Sequence, residues 1–178
     1  MNNIIEVKDL CKTYVTNKRQ NNVLRNVNFS ISEGEMVAIM GPSGSGKSTL
    51  LYAVSGMDSV TAGNVIFDGE DITKLSRRKL SDLRLDKMGF IFQQMYMLRN
   101  LSIMDNILLP AVQSKKTKES RKEKTERCRK LMRTLGIKEV ADSGINEVSG
   151  GQLQRACICR SVINLGTGYR FETGGSVQ

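Results

Sequence analysis

Histidine is missing from the 178-residue chain altogether, and cysteine occurs only four times, at Cys11, Cys128, Cys157 and Cys159. No pair of cysteines has C-x-x-C spacing, and without an imidazole no mixed zinc site can be completed. Cys157 and Cys159 stand two apart on an expected helix, where side chains diverge. All four are therefore expected as reduced thiols. No apolar run comes near the ~18 residues needed to cross a bilayer. The opening Met1-Asn2-Asn3-Ile4-Ile5-Glu6-Val7 has neither the basic region nor the apolar core of a signal peptide, so the cytoplasm is the expected compartment. There is no internal repeat or low-complexity tract. The length suits one domain with a real core, and 39% hydrophobic with 25% charged residues is ordinary globular composition.

What the chain does have is positive charge in one place. The net charge is +9, and the stretch from Lys115 to Arg133 holds most of it. Basicity confined to one segment, rather than spread along a stripe, argues against nucleic acid as a partner. The segment reads as a solvated helix face, or as a face turned toward an anionic membrane surface or an acidic partner.

The most informative stretch is Gly41-Pro42-Ser43-Gly44-Ser45-Gly46-Lys47-Ser48-Thr49, which fits the phosphate-loop pattern G-x-x-x-x-G-K-[ST]. Glycines let consecutive N–H groups turn inward on one anion. Lys47 brings a mobile charge to the β- and γ-phosphates, and Ser48 a hydroxyl for Mg²⁺. Ahead of it, the apolar run Met36 to Met40 reads as a buried parallel strand. Behind it, Thr49 to Val54 reads as a helix whose N-terminus faces the phosphates.

Around this centre, Ile4 to Leu10 alternates as a strand continuing toward Tyr14, Thr16 to Asn22 is loop-like, and Val23 to Ile31 is a half-buried strand. Asn64-Val65-Ile66-Phe67 is a further strand. Ser76 to Lys87 is an expected helix, and Gly89-Phe90-Ile91-Phe92 a compact strand delivering Gln93 and Gln94. Ser102 should cap a helix that Pro110 disturbs. Cys128, Leu131, Met132 and Leu135 form one helical stripe closed by Gly136. Ser149-Gly150-Gly151-Gln152 opens a helix to about Ile163. The pattern predicts an α/β fold: a phosphate-loop core, a small antiparallel β layer and an inserted helical lobe.

With the phosphate loop, the strand-borne Gln93 and Val148-Ser149-Gly150-Gly151-Gln152 in register, the chain resembles the ATP-binding subunit of an ABC transporter over residues 4 to 164. Leu83-Arg84, Met88 to Gln93 and Asn106-Ile107-Leu108-Leu109-Pro110 are similar to the macrolide-export, lipoprotein-release and antimicrobial-peptide-resistance subgroup. The resemblance implies ATP and Mg²⁺ as cofactors. Tyr14 would stack on adenine, and Gly41, Pro42, Ser43, Gly44, Ser45, Gly46, Lys47, Ser48 and Thr49 would hold the triphosphate. Ser48 and Gln93 would meet Mg²⁺. Ser149, Gly150, Gly151 and Gln152 would face the nucleotide of a second copy, paired head to tail. The implied partners are that second subunit and a membrane permease, placing the chain at the inner face of the plasma membrane.

The resemblance also implies an incomplete domain, residues 1–164 with the helical lobe at about 95–163, followed by a non-matching tail at 165–178. The C-terminal part of the sheet, the family's Asp-Glu pair and its switch histidine have no counterpart here; no Asp follows Asp142. Beyond Gln93 no catalytic residue is recognisable. The expected function is therefore ATP binding in an ABC-type exporter. The alternatives are a remnant that does not hydrolyse ATP, a soluble phosphate-loop kinase, or a non-transport ATPase of this type.

Overall fold

The computed structural model describes residues 2–116 and 118–165. It divides into two compact units, Met1–Ser81 and Asp82–Gln178.

In the first unit, β1 (Asn3–Thr16) and β2 (Arg19–Ser32) form a long antiparallel hairpin, with Thr16 opposite Arg19. Asn17 and Lys18 both have positive φ, 50° and 63°, the two-residue turn whose twist matches that of paired strands. The polar stretch expected as a loop is thus mostly strand: backbone pairing extends the hairpin well past its apolar part. After α1 (Lys47–Val54), β3 (Ala62–Phe67) pairs with the other edge of β1, and the short β4 (Glu70–Asp71) with β3, giving the order β2-β1-β3-β4. All pairings are antiparallel. Val7, Leu10, Leu24, Val65 and Phe67 bury the sheet's inner face, with Ala53 of α1 and Ile72. Gly63, at φ +86°, is required because a Cβ there would run into the backbone of Asp9.

The Met36 to Met40 run forms no strand. Met36 is 97% exposed and Met40 88%. A parallel strand is held by neighbours on both sides, and among the described residues no strand pairs with this run. Apolar composition alone does not make a strand where the ladder is not supplied.

In the second unit, α2 (Arg77–Lys87) straddles the boundary and is followed by α3 (Ile103–Gln113), α4 (Arg121–Thr134) and α5 (Gly150–Val162). Ile103, Ile107, Ala111, Cys128, Met132, Ile137, Ala156 and Cys159 are fully buried at the common core of α3, α4 and α5. Ser102 caps α3 as expected, accepting the Asp105 N–H. Pro110 does not end that helix, because buried residues on both sides of it, Ile107 and Ala111, hold the backbone through one lost hydrogen bond. Gly136, at φ +61°, closes α4. Residues 89–92, expected as a strand, are irregular. They are extended enough to stack Phe90 on Phe92, with ring centroids 6.0 Å apart.

Candidate functional site

The phosphate loop turns on glycines. Gly44 and Gly46 have φ of +79° and +93°, which L-residues with a Cβ adopt only at a cost. A Cβ on Gly46 would also press within 3.0 Å of the Val23 side chain, so the loop sits tightly against β2. Helix α1 begins at Lys47, two residues earlier than the pattern indicated. Gly46 gives it no side-chain cap. The first-turn N–H groups of α1 are thus left for solvent or an anion. Lys47 Nζ donates to the carbonyl oxygens of Gly41 and Pro42 at 2.8 and 2.6 Å, and lies 3.5 Å from Ser45 Oγ. An ammonium folded over its own loop is placed to exchange those neutral acceptors for phosphate oxygens, to which its bonds are stronger. Ser43 and Ser48 are exposed and Thr49 half-buried.

Tyr14, near the end of β1, is half-buried. Its hydroxyl donates to Asp58 Oδ2 at 2.7 Å, and that bond is the main reason its pKa is raised. Asp58 also pairs with Lys12 at 2.8 Å. Burial would raise the Asp58 carboxyl, but the bonds from Lys12 and Tyr14 outweigh it and hold the pKa low. Lys12 and Asp58 were not singled out from the sequence. Lys12 could have been, since it lies two residues from Tyr14 on the same strand face. Nothing local marks Asp58.

In the second unit, Gln93 and Gln94 are exposed. The chain just after them is fixed to α5: Arg160 donates to the carbonyls of Met95 at 2.7 Å and Tyr96 at 2.8 Å. Tyr96 has φ of 43°, a strained conformation for an aromatic residue, and its ring meets Phe92 edge to face. Asn106 holds the next turn, accepting the Leu98 N–H at 2.7 Å and donating to the Leu98 and Leu101 carbonyls. Arg160 and Asn106 position the Gln93 segment, and sequence spacing gave no sign of either.

Ser149 and Gln152 form a reciprocal capping box at the start of α5. Gln152 Nε2 also donates to Glu139 at 3.2 Å. A Cβ added at Gly150 would meet nothing within 4 Å, and one at Gly151 only the Arg155 guanidinium at 3.6 Å. Packing within the chain therefore does not demand these two glycines, and they leave bare backbone open to an approaching group. Neither α1 nor α5 has an acidic residue in its first turn, whereas α3 and α4 carry Asp105 and Glu123 there. The first turns of both helices thus add no charge of their own to cancel the partial positive charge, while at α5 the Glu139 carboxylate stands beside Gln152. The donors of the first unit fit a magnesium nucleotide: glycine-lined N–H groups and an ammonium for phosphate, with the neutral oxygen of Ser48 for a hard cation that retains much of its water. Among the described residues no cluster of three or more Cys, Asp or Glu is placed to hold a metal by itself. The cysteines are free thiols, as expected.

A profile described as ABC transporter matches residues 24–166. The lipoprotein-releasing system ATP-binding protein LolD of Wigglesworthia glossinidia brevipalpis is 42% identical over 166 residues, 92% of this chain and 71% of that protein. Among solved structures, the dimeric post-hydrolysis state of the ATP-binding cassette MJ0796 bound to ADP and Pi superposes with a TM-score of 0.82 at 36% identity. The match covers 90% of this chain and 69% of that one. A second dimeric structure of MJ0796, described as a bacterial ABC transporter cassette, gives 0.82 at 37% identity over the same shares. The α/β class expected from the sequence is the one these cassettes share.

Proposed function

The chain belongs to the ABC transporter family, as an ATP-binding domain, and from that premise we propose that it binds MgATP at Gly41–Thr49 to energise an exporter. The observation that carries this reading is the pairing of an uncapped α1 N-terminus with Lys47 Nζ poised on the Gly41 and Pro42 carbonyls. In this reading Tyr14 stacks on the base and Ser48 orients the cation. The α5 start at Ser149–Gln152 receives the nucleotide of a second, head-to-tail copy. Support for the pair comes from the dimeric MJ0796 cassettes. The LolD relative is by its name the ATP-binding protein of a lipoprotein-releasing system, and in this reading the partner is a membrane permease at the inner face of the plasma membrane. No helix among the described residues is long and apolar enough to cross a membrane, so attachment would run through that permease.

Bound MgATP supplies the phosphoryl group and the charge that closes the pair. The chain's own residues bind and orient it. Phosphoryl transfer depends on positioning and on compensating charge at the γ-phosphate. In this reading Lys47 and Ser48 contribute to that task. A titration with a fluorescent ATP analogue tests the site. Lys47→Ala should lose roughly 2–4 kcal/mol of binding through the charge-assisted bonds removed, and equal affinity in both proteins would overturn the assignment.

A further inference from the structure

Lys12 is only 6% exposed. Burying an ammonium is costly unless it is paired and hydrogen-bonded, so its surroundings show what it was buried for. Its Nζ meets Asp58 Oδ1 at 2.8 Å, donates to the Ser59 carbonyl and sits 4.8 Å from the centre of the Tyr14 ring. The other Asp58 oxygen takes the Tyr14 hydroxyl at 2.7 Å. Tyr14 is thus gripped twice, by a carboxylate at its tip and a cation on one face.

Holding the loop after α1 against the sheet does not require this grip. Thr61 already donates its N–H to the Cys11 carbonyl at 2.9 Å, and its hydroxyl accepts the Thr13 N–H at 2.9 Å. The Asp58–Tyr14 bond adds something those cannot, a fixed ring orientation. An aromatic side chain ordered in advance does not spend its rotamer freedom on binding. With an ammonium over one face, a planar ligand has only the opposite face to stack on.

We propose that Asp58 and Lys12 are positioning residues that hold the Tyr14 ring ready to stack on the base of a nucleotide whose phosphates lie at Gly41–Thr49. The proposal rests on the nucleotide reading above and adds to it the source of the base's contribution to affinity. Affinities of the full chain for ATP and for inorganic tripolyphosphate, each with Mg²⁺, separate the base contribution from that of the phosphates. Asp58→Ala and Tyr14→Phe should each weaken ATP roughly 3- to 10-fold, in line with loss of an ordered aromatic contact, and leave tripolyphosphate unchanged. Asp58→Asn retains an acceptor for the phenol and should recover most of the ATP affinity. Should Asp58→Ala fail to fold, Tyr14→Phe, which removes only a hydroxyl, still decides the matter. A parallel fall for both ligands, or no change for ATP, overturns the positioning role. If the wild-type chain binds neither ligand, or Lys47→Ala binds tripolyphosphate as well as wild type, the nucleotide reading itself fails and the proposal falls with it.

Discussion

Ser149 and Gln152 satisfy each other across the first turn of α5: Ser149 Oγ accepts the Gln152 N–H at 3.2 Å, and Gln152 Oε1 accepts the Ser149 N–H at 2.9 Å. Ser120 and Glu123 repeat the arrangement on α4, at 3.3 and 2.7 Å. The difference is charge. Bonds from Ser120 hold the Glu123 carboxyl low, so the α4 box places an anion on its helix start, whereas the neutral amide at Gln152 does not. The same local device serves stability in one helix and leaves the other open to an anion.

Gln152→Glu should therefore keep the box while repelling a phosphate, and lower the melting temperature slightly because it exchanges the bond to Glu139 for a carboxylate pair. ATP-dependent pairing of two copies should weaken roughly 2- to 5-fold, the range of a single charge at a helix terminus. Ser149→Ala should instead lower stability by about 1 kcal/mol. Urea melts and sedimentation with ATP measure the two effects; equal pairing in Gln152→Glu and wild type would remove the anion site from α5.

The thiols should separate by depth. Burial pushes Cys128 and Cys159 up to about 12, and raises Cys157. Since the thiolate is the reactive form, these three should resist an alkylating reagent at pH 8 until the protein is denatured. The half-buried Cys11 should be the one that reacts in the native state. Rapid native labelling of Cys128 would show that the α3–α4–α5 core opens readily.

Elements with local causes were readable in the sequence, among them the caps at Ser102 and Ser149, the stop at Gly136 and the phosphate loop. Alternation alone sufficed for most of β1 and for β2 from Val23 onward, but not for the polar start of β2 at Arg19. What escaped was set by distant partners. Met36 to Met40 has the composition of a buried strand but pairs with no strand among the described residues. Asp58 reaches Tyr14 across 44 residues, and Arg160 reaches Met95 across 65. Such pairs follow from chain topology, which residue spacing does not encode.

Acid should act through Asp71. Burial opposes its ionisation, but bonds from Lys74, from the hydroxyl and N–H of Thr73 and from Asn64 hold its pKa at about 2, against 3.8 for a free side chain. A carboxyl lowered in the folded state stabilises above its unfolded pKa and loses that contribution as pH falls through the folded value. Asp71→Asn should therefore flatten the stability curve between about pH 4 and pH 2, by roughly 1–2 kcal/mol. An unchanged acid limb in urea melts would show that Asp71 is not held by these partners.

Exposure of the 36–40 run carries a cost in solution. Val37 is 47% exposed between the almost fully exposed Met36 and Met40, and short apolar segments without charge or proline invite strand-to-strand association. Val37→Lys should reduce light scattering on incubation at 37 °C and leave the melt of the β1–β2–β3 sheet unchanged, since no strand pairs there. Scattering equal to that of wild type would place the association surface elsewhere.

Helix α4 bears on both stability and partners, and its lysines divide accordingly. Lys122, Arg129 and Lys130 are exposed, whereas Lys124 is buried at 9% exposure on the same face as Cys128 and Met132. The basic segment is thus not wholly a solvated face, because the i, i+4 spacing from Lys124 to Cys128 turns one cation inward. Reversing Lys122, Arg129 and Lys130 to Glu should leave stability within about 0.5 kcal/mol, as surface changes do. Nucleotide affinity should also hold, since exposed charges are screened beyond about 8 Å at physiological salt. Binding to vesicles rich in anionic lipid should fall and lose its salt dependence. Lys124→Glu alone should destabilise by roughly 1–3 kcal/mol by placing a carboxylate where the long alkyl stem packs. Lys124→Met should be tolerated. If the triple reversal leaves vesicle binding untouched, the exposed cations only keep the helix solvated; if Lys124→Glu melts like wild type, Lys124 is not part of the packed face.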